Sequence, residues 1–135
     1  MIHLDTNVAI ALLNARPRVV RTKFDAARAE GAAFCMSSVA LHELMFGAAA
    51  SLRREANEGK IALLISSGID VLAFDAEDAV HAGDIRAHLR RLGVPIGPYD
   101  LLIAAQARRR SATLVTANAR EFARVPGLKI VDWAA

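Results

Sequence analysis

The chain has 135 residues, a length that suits one domain, residues 1–135, with a hydrophobic core of its own. Its hydrophobic fraction is 54%, but runs such as Ile61 to Ile65 and Leu101 to Ala105 fall far short of the ~20 apolar residues that cross a bilayer. The single cysteine, Cys35, excludes an internal disulfide and a cysteine-built zinc cluster. Net charge is +3, and all but three of the 17 basic residues are arginine, whose planar fork matches phosphate. That balance admits a nucleic-acid partner without requiring one. No membrane partner is expected, and with no basic-then-apolar leader a cytoplasmic location is expected.

In chain order, Met1 to Leu4 reads as a short buried strand running into Asp5-Thr6-Asn7, with an apolar helix from about Val8 to Leu13. No element is assigned between Leu13 and Ala33. Ala33 to Met36 is a second strand, and Ser37 and Ser38 offer helix caps. The helix they start carries an apolar stripe of Leu41, Leu44, Met45 and Ala48. Another helix covers roughly Arg53 to Ile65, and Ile69 to Phe74 is a third strand. After Asp75, a helix places Ala82, Ile85, Leu89 and Leu92 on one face. Gly93 to Pro98 holds two prolines and two glycines, which end that helix before Tyr99-Asp100 opens another to about Arg109. Ala112 to Thr116 and Leu128 to Val131 complete the strands. Strands alternating with helices predict an α/β fold, a central parallel sheet flanked by α-helices.

In such folds, sites form beyond the carboxyl ends of strands. Asp5 ends the first strand, and Asn118 follows the fourth by two residues. Glu43 and Asp100 lie on helices that follow a strand or loop. Each has a plainer reading. Asp5 suits a helix cap; Glu43, beside the apolar stripe, suits a surface position, with the adjacent His42 pointing elsewhere; Asp100 suits the positive end of a helix; Asn118 suits a turn. Brought together, the acids would repel one another unless a divalent cation joined them. Oxygen ligands without His or Cys favour Mg²⁺, or Mn²⁺ as a substitute, over zinc. His81, Asp84 and His88 share a helix face but read as solvated, and Arg108-Arg109-Arg110 suits either phosphate or a helix C-terminus. No Gly-rich phosphate loop, Gly-x-Ser-x-Gly elbow or Cys-His pair is present.

Four segments together resemble one family. They are Leu4-Asp5-Thr6-Asn7; Ser37-Ser38-Val39 with Glu43-Leu44 and Gly47-Ala48; Pro95 to Asp100 with Ile103-Ala104; and Thr116-Ala117-Asn118 with Arg120-Glu121-Phe122 and Val125 to Leu128. Their order and spacing resemble PIN-domain nucleases, and more closely the VapC toxins of VapBC toxin–antitoxin pairs, over essentially the whole chain. The resemblance implies a Mg²⁺-dependent endoribonuclease with Asp5 and Asp100 on the metal. It implies that Glu43 ligates or positions the attacking water. It further implies a homodimer, a VapB-type antitoxin, and transfer or ribosomal RNA as substrate. Many PIN domains carry a fourth acid where this chain has Asn118, so one metal ion is expected rather than two, with Asn118 kept as a catalytic candidate. Glu121 and Asp84 are the candidate replacements. Thr6, Asn7 and Thr116 are expected to support the site, and Arg86 to contact phosphate or hold a carboxylate. A receiver-like phosphoacceptor module and a haloacid-dehalogenase-type phosphatase also place an Asp after the first strand. Asp5 lacks the acidic partner each requires. A PIN-like domain that only binds RNA is the remaining alternative.

Overall fold

A computed structural model describes residues 1–135. In chain order its elements are β1 (Ile2–Leu4), α1 (Thr6–Asn14), α2 (Arg18–Ala29), β2 (Phe34–Ser37), α3 (Ser38–Ala49) and α4 (Arg54–Ser66). They continue with β3 (Ile69–Leu72), α5 (Ala76–Leu92), α6 (Pro98–Arg109), β4 (Thr113–Val115), α7 (Ala119–Phe122) and β5 (Lys129–Val131). The strands form one sheet in the order β3-β2-β1-β4-β5, and every pairing is parallel. This is the expected α/β architecture.

The order has one consequence for function. From β1 the chain builds outward through β2 to β3, then crosses back to place β4 on the other side of β1. The β1–β4 junction is therefore the point where strand order reverses, and a crevice opens there beyond the carboxyl ends of the strands. His3, Leu4 and Asp5 at that central position are 0%, 0% and 2% exposed.

Local chemistry sets the element ends. Ser37 caps α3 by accepting a bond from the Val39 amide at 3.0 Å. Asp75 and Asp78 form a reciprocal capping box that starts α5. Gly93, at φ 70°, ends α5 in a left-handed turn that a side chain would strain. Pro98 then opens α6, where its missing N–H costs nothing.

The helix α2 lies in the stretch to which the sequence assigned no element. Its buried residues are Val20 and Phe24, one turn apart, with arginines and a lysine around the rest of the circumference. So narrow a stripe is easily lost among charges. Phe24 stacks on Phe34 with ring centroids 4.5 Å apart and meets Trp133 edge-on at 6.4 Å. The core thus closes over β2 from one side. Two residues read as core-facing are not: Met45 is 37% exposed and Leu92 is 60% exposed. Ala40, rather than Met45, shares the buried face of α3 with Leu44 and Ala48.

Candidate active site

Asp5 leaves β1 and becomes the N-cap of α1, so the capping role and the site role fall on one side chain. Its Oδ1 accepts the Thr6 amide at 2.8 Å, and its Oδ2 accepts the Thr116 hydroxyl at 2.7 Å across the β1–β4 junction. Burial pushes its pKa up and Glu43 adds to this, while the bonds from Thr116 and Thr6 pull it back. The Thr6 hydroxyl donates to Glu43 Oε1 at 2.7 Å, tying α3 to the end of β1. Asn7 Oδ1 accepts the Ala117 amide at 3.1 Å, and Thr116 Oγ1 accepts the Asn118 amide at 2.9 Å. Thr6, Asn7 and Thr116 therefore brace the rim in hydrogen bonds that no spacing rule supplies.

Asp100 enters from the first turn of α6 and is half-buried. Its carboxyl is pushed up to about 6, first by burial and then by the negative charges of Asp5, Glu43 and Glu121. Gly97 leaves room for it, because a Cβ there would stand 3.3 Å from Asp100 Oδ2. None of the four acids takes part in an ion pair. The result is a cluster of carboxylates from β1, α3, α6 and α7 with no protein cation to balance it. No group of three or more His, Cys, Asp or Glu side chains is gathered closely enough to hold a metal ion by itself.

Asn118 does not reach into this cluster as an acid would. Its Nδ2 donates to Glu121 Oε2 at 3.0 Å, which holds the glutamate. Of the two candidate replacement acids, Glu121 stands close enough to act on Asp100. Asp84 does not serve, because it is paired with Arg108 at 2.8 Å on the outer side of α5. Arg108 also donates to His81 Nδ1 at 3.1 Å, so the His81–Asp84 face is clamped to α6 rather than simply solvated. Arg109 pairs with Glu77, and Arg110 with Asp78, so the arginine run at the end of α6 serves internal ion pairs. Arg86 is exposed and holds no carboxylate. His42 meets Tyr99 edge-on at 5.4 Å and makes no ion pair with Glu43, although both line one cavity.

The sequence matches the PIN domain over residues 2–128. The chain belongs to the PIN-domain family. Within that family it is similar to the tRNA(fMet)-specific endonuclease VapC of Shigella flexneri, 45% identical over 131 residues, 97% of this chain and 96% of the relative. The protein of the same name from Salmonella typhimurium is 42% identical over 130 residues, 96% of each chain. Among solved structures, the DNA-bound VapBC of Salmonella typhimurium matches with a TM-score of 0.89 and 42% identity, covering 98% of this chain and 97% of that one. VapBC2 of Rickettsia felis, bound to a promoter fragment, matches with a TM-score of 0.91 and 34% identity, covering 98% and 99%. This PIN domain is therefore a VapC protein, and the ribonucleases among its relatives place it with the nuclease hydrolases.

Proposed function

We propose that this PIN domain is the endoribonuclease toxin of a type II toxin–antitoxin pair. We further propose that its substrate is a structured RNA, with tRNA(fMet) the first candidate because two relatives bear that specificity in their names. The observation that carries the reading is the uncompensated acidic cluster at the strand-order reversal. Four acids that share no cationic side chain fit a divalent cation. Magnesium takes few protein ligands and keeps several waters, so it needs only one or two of these carboxylates. Asp5 and Asp100 would hold it directly. When bound, it would neutralise charge on the phosphodiester and lower the pKa of a bound water.

The chain's own residues do the rest. Thr116 and the Thr6 amide fix both oxygens of Asp5, so its orientation does not depend on a ligand. Thr6 holds Glu43 through Oε1, and Glu43 Oε2 has no protein donor and can accept from the attacking water. Water gives one proton to Glu43 as its oxygen forms the new O–P bond; the bridging P–O bond breaks, and the ribose oxygen leaves and takes a proton from solvent. Asn118 holds Glu121 at the far rim, where it keeps the field around Asp100 negative. That fourth acid favours a catalytic PIN domain over one that only binds RNA.

The VapBC complexes among the structural neighbours support a VapB-type antitoxin as partner, and a homodimer is proposed with it. Incubation of the purified chain with tRNA(fMet) tests the enzymatic reading. Cleavage is expected in Mg²⁺, at a lower or similar rate in Mn²⁺, and not in EDTA. It should be lost in Asp5→Asn and Glu43→Gln. Equal cleavage by wild type and Asp5→Asn would overturn the assignment.

A further inference from the structure

The chain has seven aromatic residues: five phenylalanines, one tyrosine and one tryptophan. Phe24, Phe34, Phe122 and Trp133 are buried, and Phe74 is half-buried against the core. The two left exposed are Phe46 at 68% and Tyr99 at 46%. Both line a single cavity of about 450 Å³, together with Thr6, Ile10, His42 and Glu43. His42 and Phe46 lie one turn apart on α3, and the His42 and Tyr99 rings meet at 64°. Each end of this aromatic wall adjoins an acid of the cluster in sequence, His42 beside Glu43 and Tyr99 beside Asp100.

We propose that Phe46, Tyr99 and His42 form a stacking surface for one unpaired nucleobase of the RNA, carried by a nucleotide that flanks the cleaved bond. The proposal rests on the ribonuclease reading and adds a subsite to it. Rings so exposed add little to the core, and both stand at one cavity that also reaches Glu43. A nucleotide whose phosphate lies at the acids carries its base one ribose away, and this cavity shares Thr6 and Glu43 with the acid site. Its walls offer three aromatic rings and no side-chain amide, lysine or arginine, so they suit the π-face of a base without strong preference for which base. A base still stacked in a duplex cannot enter. The substrate must therefore be single-stranded at the cut, as in a loop.

The test uses a synthetic stem-loop reproducing the wild-type cut site, with an intact or an abasic nucleotide on either side of the cleaved bond. Phe46→Ala is expected to lower kcat/KM on the intact RNA on the order of 10- to 100-fold, with an unchanged Tm. Phe46→Trp is expected to keep most of the activity. On the correctly placed abasic RNA, Phe46→Ala should cut no worse than wild type, because the ring has lost its base. Wild-type rates for Phe46→Ala on intact RNA would overturn the proposal. So would an equal loss on intact and abasic RNA, or a loss confined to affinity for a protein antitoxin. If wild type cleaves no RNA at all, the ribonuclease reading fails first, and the subsite fails with it.

Discussion

Replacing Asp100 by asparagine removes one charge from a cluster that lacks a balancing cation, so the variant should be more stable without metal and less stable with it. Burial and the neighbouring acids hold the Asp100 carboxyl at about 6, against 3.8 for an unperturbed one. At 1.36 kcal/mol per pH unit, that displacement sets a ceiling of roughly 3 kcal/mol on the penalty for ionising the group in the fold. The side chain is only half-buried, and solvent screening reduces the figure to about 1 kcal/mol. In a chain of this size, 1 kcal/mol moves Tm by about 3–5 °C. Asp100→Asn should therefore melt about 3–5 °C above wild type in EDTA at pH 7.5. A raised carboxyl pKa means that the folded state binds more protons than the unfolded one between 3.8 and about 6. The advantage of the variant should accordingly be complete above pH 6 and shrink as the pH falls through that window. Saturating Mg²⁺ at about a hundredfold over its Kd should stabilise wild type by about 2.7 kcal/mol and the variant by much less, which reverses the order. Fluorescence of Trp133, buried at 8% exposure, reports the transition. A variant less stable than wild type in EDTA, or an equal Mg²⁺ gain in both proteins, would refute the reasoning.

Two further outcomes follow from groups outside the site. Arg110 donates to the fully buried Asp78 at 2.8 Å, so Arg110→Met should cost about 3 kcal/mol in urea unfolding, and adding Asp78→Asn should restore much of it. His3 is fully buried and bonds Gln106 through Nε2 at 3.2 Å, while its Nδ1 has no partner; burial lowers its pKa to about 4. The unfolded chain binds a proton there below about 6.5, so stability should be fully present above that pH and fall, by up to roughly 3 kcal/mol, as pH drops toward 4. Urea midpoints at pH 7 and 4.5 check this, and the drop should be smaller in His3→Leu.

Much of the architecture was legible because hydrophobic period and punctuation carry it. The five strands, the Asp75 cap and the proline-glycine break before α6 are each written within a few consecutive residues. The helix α2 was not, since Val20 and Phe24 form too thin a stripe among charges, and Phe24 declares its role only against Phe34. At the site, Asp5, Glu43 and Asp100 stood out as acids in apolar surroundings. The roles of Arg108 and Asp84 did not, because their pairing joins α5 to α6 through residues 24 positions apart.

The sequence by itself determined which residue types were available to do chemistry, and where most local elements begin and end, α2 and α7 excepted, because both depend on neighbours within a turn or two. Only the tertiary structure decided who faces whom. It was the crossing from β3 back past β1 to β4 that set the Thr116 hydroxyl on Asp5, 111 residues away in the chain. The same folding brought Glu121 into the field of Asp100 and turned His42 onto Tyr99. Charge and hydrogen bonding act through space over a few ångströms, and separation along the chain does not record that distance.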